Sequence, residues 1–140
     1  MTPTRGPAAD APAPVALIEQ APTRRSLTRA VCLALLAPGG HGRVAATMRA
    51  VPIIIPVSFT LVGEDVVFRP GLGEGLSRAV ADSVVAFESD HVGSDGRATW
   101  GVHVTGMART YTRASSHAPD FRLSTEIVTG WREVVSVSEH

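Results

Sequence analysis

Arg69 and the glycine-rich segment that follows it are the residues whose types and spacing point most directly to a ligand. The segment reads Pro-Gly-Leu-Gly-Glu-Gly over 70–75 and stands between a predicted strand and a short predicted helix. Backbone NH groups at such a junction can hold an anion, and an arginine guanidinium can bind a phosphate through two hydrogen bonds. The glycine spacing does not match the dinucleotide-binding pattern. A structural turn and a phosphate cradle are therefore both open, and Arg69 favours the cradle.

Other reactive residue types form no catalytic pattern. The five histidines are not spaced as zinc ligands with a cysteine or with one another, so no metal site is predicted. Glu88 and Asp90 fall on one face of a predicted strand, where we expect solvated charges or arginine partners and not a glycosidase pair. His103 is expected to be a solvated strand histidine. No Gly-x-Ser-x-Gly elbow is present, and no residue is proposed as a catalytic acid, base or nucleophile.

The charged residues are balanced, and every base is the same residue. All 13 basic side chains are arginine, and they match 13 acidic ones. The absence of lysine excludes Schiff-base and P-loop lysine chemistry. Zero net charge argues against a nucleic-acid or acidic-membrane partner. The single cysteine, Cys32, lies in an apolar stretch, and we interpret it as a small buried hydrophobe in a reducing cytoplasm.

The first 40 residues are predicted to form an arm followed by a helix. Five of the ten prolines fall within the first 22 residues, so residues 1–24 are interpreted as a disordered or loosely docked arm and 25–140 as the folded domain. Ser26 is the expected N-cap of an amphipathic helix that ends at the Pro-Gly-Gly of 38–40. Paired arginines before this helix resemble an export signal, but Arg29 interrupts the apolar run, and no run is long enough to span a membrane.

The remainder of the chain has the pattern of strands. Pro52 and Pro56 predict a bend or an edge in one of them. The connections are too short for crossover helices, which implies antiparallel hairpins. Six strands with so few helical residues predict a mainly β fold, a closed six-stranded antiparallel split β-barrel with a few short helices. The predicted strands span 43–48, 51–61, 66–69, 83–89, 100–112 and 121–128, and a short helix spans 76–81.

Several short motifs between about Leu27 and Arg132 are more informative through their order than through any one of them. They are Gly42-Arg43-Val44, Val51 through Phe59, Val66 through Arg69, Gly71-Leu72-Gly73, Val84 through Asp90, and Trp100 through Gly106. In this order they resemble the pyridoxamine 5'-phosphate oxidase-like family, and within it the branch that includes 5-nitroimidazole-resistance proteins. The resemblance implies a split barrel that forms a homodimer and binds flavin mononucleotide, FMN, in a cleft between the subunits.

The resemblance also implies which residues bind the cofactor. One strand would lie along the isoalloxazine ring, the next strand end and its loop would receive the phosphate, and a tryptophan would close the cleft near the partner subunit's cofactor. Two positions of the phosphate-binding loop differ from the family pattern, because Pro70 replaces a hydroxyl donor and Gly75 replaces a lysine. Two residues at the start of the short helix could compensate. The resulting cofactor-binding set is Pro56, Val57, Ser58, Phe59, Arg69, Gly71, Ser77, Arg78 and Trp100.

These expectations lead to hypotheses of different classes. In the first, the protein is a cytoplasmic homodimeric flavoprotein that uses FMN to oxidise or reduce a small-molecule substrate. In the second, the barrel binds no cofactor and serves as a binding or structural dimer, a reading favoured by the missing lysine and hydroxyl. A deazaflavin in the same cleft is a third hypothesis, because no residue distinguishes the two cofactors.

Overall fold

The computed structural model of the protein describes residues 23–69, 74–111 and 120–134. These residues form eight strands and two short helices. In chain order they are β1 (Thr23–Ser26), α1 (Arg29–Leu36), β2 (Gly40–Met48), β3 (Val51–Val62), β4 (Asp65–Arg69), α2 (Glu74–Val80), β5 (Ser83–Val92), β6 (Ala98–Tyr111), β7 (Asp120–Leu123) and β8 (Val128–Val134).

Six of the strands close into an antiparallel barrel. Their order is β6-β5-β2-β3-β4-β7, and β7 pairs again with β6 to complete the ring. The remaining two extend the sheet, since β8 also pairs with β6 and β1 pairs with β8. The predicted mainly β, six-stranded antiparallel barrel is therefore confirmed. No helix in the described ranges is long and apolar enough to cross a membrane.

Alternation of side chains along the strands fills the barrel. On β3, Ile55, Val57 and Phe59 are buried while their neighbours are exposed. The Phe59 and Phe87 rings meet edge to face with centroids 5.0 Å apart. Helix α1 adds Cys32 and Leu36, which are both fully buried, so the predicted burial of the single cysteine is confirmed.

The two prolines of β3 lie where this strand has a single neighbour. Pro52 and Pro56 pair with Thr47 and Arg43 of β2, whereas β4 begins to pair with β3 only at Ser58. Proline has no backbone NH to donate, so it is tolerated on a strand edge. The predicted edge position of these prolines is confirmed.

The last predicted strand is wrong, because the stretch 121–128 belongs to two strands. The chain leaves β7 at Leu123 and resumes as β8 at Val128, farther along the same edge of β6. Thr125, which is buried, causes the break: its hydroxyl donates to the Glu64 carbonyl oxygen at 2.5 Å and accepts from Arg29. These bonds fix the connection to the β3–β4 turn, so it cannot continue the sheet.

The start of the folded region also differs from the prediction. Thr23 and Arg24, assigned to the arm, form the first half of β1, and the other arm residues lie outside the described ranges. The N-cap of α1 is Thr28, whose side chain accepts a hydrogen bond from the Val31 amide. Ser26 was the wrong cap, because it pairs with Trp131 as the last residue of β1.

The β2–β3 hairpin turn gives a prediction about stability. Met48 pairs with Val51, and the two residues between them, Arg49 and Ala50, have φ of 52° and 66°. A Cβ in this left-handed region costs about 1 kcal/mol or more, and turns of this kind favour glycine. Ala50→Gly should therefore raise the free energy of unfolding by roughly 0.5–1 kcal/mol in urea denaturation, after the greater unfolded-state entropy of glycine is subtracted.

A matched control lies on the adjacent strand. Ala45 is exposed in the middle of β2, and its backbone is not in the left-handed region. Ala45→Gly should lower the free energy of unfolding by about 0.5–1 kcal/mol. A loss of stability in both variants would contradict the conformational argument.

Candidate functional site

The end of β4 and the middle of β3 form a small cavity on the barrel surface. Arg69 pairs in register with Ser58, and alternation places the side chains of Ser58 and Thr60 outward on β3. The cavity has a volume of about 160 Å³. Its lining consists of Ser58, Phe59, Thr60, Val67, Phe68, Arg69 and Asp120. A guanidinium and two hydroxyls here offer hydrogen-bond donors of the kind that bind a phosphate or a ring carbonyl.

Arg69 is held in this cavity by Asp120, the first residue of β7. Its Nε donates to Oδ1 of Asp120 at 2.8 Å, and its Nη2 donates to Oδ2 at 3.4 Å. The carboxylate is almost fully buried, whereas about half of the Arg69 side chain is exposed. Hydrogen bonding to Asp120 raises the pKa of Arg69 further above its ordinary value, so the guanidinium is charged at any physiological pH. Sequence reasoning missed Asp120, because the two residues are 51 positions apart.

The predicted ring-lining strand presents its residues to two different faces. Pro56 and Ser58 point outward and are exposed, whereas Val57 and Phe59 point into the barrel core and are buried. Only alternate side chains of a strand share a face. A ligand on the outer surface would therefore contact the Pro56 and Ser58 side chains, and only the backbone of the other two. The assignment of this strand to a ring remains a prediction.

The other predicted cofactor residues that the structure describes beyond β3 do not line the Arg69 cavity. Gly71 lies outside the described ranges. Ser77 is half-buried on α2, and Arg78 lines a second cavity beside the β2–β3 turn. Trp100, partly buried, stacks on His91 with ring centroids 6.3 Å apart. Among the described members of the predicted set, Ser58, Phe59 and Arg69 are the ones that line this cavity.

A charged cluster crosses the outer face of β2 and β5. Arg43 donates to Glu88 at 2.5 Å, and its Nη1 lies 3.7 Å from Oδ1 of Asp90. The expectation that the two acids share a face and pair with an arginine is confirmed. Desolvation by burial and then the neighbouring Asp90 raise the pKa of Glu88 above its ordinary 4.5, although Arg43 opposes the shift. His103 pairs with Glu88 in register and is exposed, as predicted.

The raised pKa of Glu88 predicts a pH dependence. The folded protein holds this proton more tightly than the unfolded chain, so the contribution of Glu88 to stability falls as the pH rises from about 4.5 through the folded-state pKa. Glu88→Gln removes this contribution. The free energy of unfolding of Glu88→Gln minus that of the wild type should therefore increase with pH over this interval and then become constant.

Urea titrations at a series of pH values measure this difference. The increase should be smaller in an Asp90→Asn background, because Asp90 is one of the groups that raise the Glu88 pKa. A difference that stays flat with pH, or that decreases, would contradict the prediction.

Gly101 makes room for an aromatic ring. It pairs with Trp131 of β8, and a Cβ added to it would lie 2.8 Å from Nε1 of the indole. The Arg24 guanidinium covers the same ring, with its central carbon 3.9 Å from the ring centroid. Any side chain at this position would collide with Trp131. Elsewhere in the described ranges, no group of three or more His, Cys, Asp or Glu side chains is arranged to hold a metal ion.

Comparison with known proteins gives a consistent result. The family model described as pyridoxamine 5'-phosphate oxidase matches residues 28–138. The uncharacterized protein Rv0080 of Mycobacterium tuberculosis is 40% identical over 87 residues, which are 59% of this chain and 57% of that protein. The chain thus spans little more than half the length of this curated relative.

Solved structures share the barrel. The FAD binding protein of Mycobacterium smegmatis superimposes with a TM-score of 0.65 at 28% identity, over 79% of this chain and 98% of that one. A candidate 5-nitroimidazole antibiotic resistance protein of Bacteroides thetaiotaomicron superimposes with a TM-score of 0.60 at 11% identity, over 86% and 93%. The second likeness shows that the branch expected from the motifs has the same fold.

Proposed function

The chain belongs to the pyridoxamine 5'-phosphate oxidase family, and from this premise we propose that it is a flavoprotein whose flavin is held at the Arg69 cavity. The observation that carries the proposal is the placement of a charged, half-exposed guanidinium beside outward hydroxyls of Ser58 and Thr60. A phosphate or a ring carbonyl finds suitable donors there. The likeness to the FAD binding protein of M. smegmatis supports a flavin nucleotide. The sequence resemblance favours FMN.

The residues of this chain would bind and orient the group. Arg69 would hold the anionic end, with its guanidinium plane fixed by Asp120 through two hydrogen bonds. Pro56 and Ser58 would present the outer surface of β3 to a flat ring. A bound flavin would supply the electron or hydride transfer for oxidation or reduction of a small-molecule substrate.

We further propose that a second copy of the chain completes the cleft. The cavity of about 160 Å³ is smaller than the several hundred Å³ of typical ligand pockets, so one subunit alone would leave most of a flavin exposed. Part of the outer face of the barrel, beside the Arg43–Glu88–Asp90 cluster, is apolar. Ile54 is 73% exposed and Val84 is 65% exposed, and Ile54, Ala45 and Ala86 form one row across three strands. Contiguous apolar surface of this kind is typical of a protein interface.

A flavin titration tests the proposal. The purified chain is mixed with FMN, FAD or a deazaflavin, and fluorescence and absorbance are measured before and after gel filtration, with sedimentation to give the oligomeric state. We expect the protein to be a dimer and to retain one of these three cofactors, with a Kd on the order of micromolar. If the protein retains none of the three at concentrations well above this, the flavin proposal is wrong. We include a cytoplasmic location in the proposal, in agreement with the free buried thiol of Cys32.

One observation favours the alternative of a cofactor-free barrel. The Asp120 carboxylate already occupies two nitrogens of Arg69, so an incoming phosphate would meet an arginine that has a partner. In this alternative, Arg69 and Asp120 form an ion pair that fastens β7 to β4. The chain would then bind none of the three cofactors and would still sediment as a dimer.

A further inference from the structure

A second and larger cavity lies between the β2–β3 turn and the end of α2. Its volume is about 450 Å³, which is within the range of small-molecule sites. It is lined by Thr47, Met48, Arg49, Arg78, Ala79 and Ser83. This cavity is well separated from Arg69: Thr47 pairs with Pro52, and Pro52 is six residues from Ser58 along β3. At about 3.3 Å per residue, that separation is roughly 20 Å.

The charged side chains known to line this cavity are two arginines. Among the described residues, its lining contains no acidic side chain. Six other arginines of the described ranges lie within 4.0 Å of a carboxylate, whereas Arg49 and Arg78 form no such pair there. In a chain with zero net charge, two neighbouring cations without an acid create a local positive potential that attracts an anion.

The remaining lining adds hydrogen-bonding groups. Thr47 is exposed at the cavity and its hydroxyl can donate to an oxyanion, whereas the Ser83 hydroxyl donates to the Ala81 carbonyl oxygen at 3.4 Å. Guanidinium groups approaching one oxyanion from two sides form short charge-assisted hydrogen bonds. Met48 and Ala79 give the cavity an apolar portion for the body of a ligand.

Arg49 reaches the cavity from the β2–β3 turn. Its φ of 52° and the φ of 66° of Ala50 are the left-handed values of this two-residue turn, and Arg49 lines the cavity from that position.

We propose that this cavity binds a small molecule through an oxyanion, specifically a phosphate monoester, which Arg49 of the β2–β3 turn and Arg78 of α2 hold between them. The site is separate from the proposed flavin site, and the two are independent. It also gives Arg78 a role different from support of the flavin phosphate.

The experiment follows backbone amide signals of the full chain by NMR while inorganic phosphate is added at constant ionic strength. Saturable shifts confined to residues 47–50 and 78–83 are expected. Arg49→Gln and Arg78→Gln should each weaken phosphate binding at least tenfold, whereas Arg25→Gln, an exposed arginine on β1, should leave it unchanged. Shifts spread over the surface, or equal losses in all three variants, would overturn the proposal. Acetate binding as tight as phosphate would overturn the assignment to a phosphate.

A flavin titration of the same variants separates this proposal from the preceding one. Arg49→Gln and Arg78→Gln are expected to change the flavin Kd less than twofold. If Arg78→Gln weakens flavin binding tenfold while phosphate gives no saturable shift at the cavity, Arg78 belongs to the flavin site and the separate site does not exist. Failure of phosphate binding alone leaves the flavin proposal intact, because that proposal depends on Arg69.

Discussion

Alanine in place of Gly42 should lower the free energy of unfolding by about 3 kcal/mol, at the upper end of the usual cost of overpacking a core. A Cβ at this position would lie 2.7 Å from the backbone oxygen of Glu88 and 2.7 Å from Cε1 of Phe87. The Phe87 ring cannot move aside easily, because it is fully buried and packs edge to face on Phe59. The β2 and β5 backbones would have to separate, and urea denaturation would measure the loss.

A control variant and a second-site variant test whether the loss of stability comes from the contact with Phe87. Gly93→Ala should change stability by less than about 0.5 kcal/mol, because the nearest atom to its Cβ would be Asp95 Oδ1 at 3.4 Å. Phe87→Leu removes the ring but not the carbonyl, so it should cost less in the Gly42→Ala background than in the wild type. Additive losses would show that the ring does not oppose the added methyl group.

Most of the barrel could be predicted because its strands are coded locally. The alternation in β3 and the short turns define hairpins without knowledge of distant residues. By contrast, β1 has the polar sequence Thr-Arg-Arg-Ser and all four residues are exposed. It is a strand because it pairs with β8, more than 100 positions away in the chain, and no local pattern encodes such a pairing.

The site was less predictable than the fold for the same physical reason. Arg69 could be recognised from its position before a glycine-rich loop. Its partner Asp120 lies on β7, which pairs with β4 in the barrel but is 51 positions away in the sequence. Arg78 is predicted to support the phosphate because it stands at the start of the short helix after the glycine-rich segment. In the structure it lines the cavity beside the β2–β3 turn. That placement depends on how α2 packs against β2, which no local pattern encodes.

The Arg69–Asp120 pair decides between the two functional hypotheses. If it is a structural ion pair, its function is to give a buried carboxylate a cationic partner, because such a carboxylate is costly to leave without a cation. If it belongs to a flavin site, the same carboxylate fixes the guanidinium in one orientation before the ligand arrives, which reduces the entropy lost on binding. The half of Arg69 that remains exposed is the part that a flavin would contact. A substitution at Arg69 affects stability under both hypotheses but affects flavin affinity under only one.

Arg69→Gln should therefore raise the flavin Kd by about ten- to a hundredfold, as expected for loss of a charge-assisted hydrogen bond of 1.5–3 kcal/mol. Arg69→Lys should give a smaller loss, because it keeps the charge and lacks the planar fork. Fluorescence titration measures both, with circular dichroism to show that each variant is folded. The matched control is Arg97→Gln, which removes a similar ion pair, with Glu133 of β8 at 3.1 Å, and Arg97 does not line the cavity. The control shows what loss of an ion pair alone does to flavin affinity. Equal affinities in Arg69→Gln and the wild type would exclude Arg69 from the flavin site and favour a purely structural ion pair.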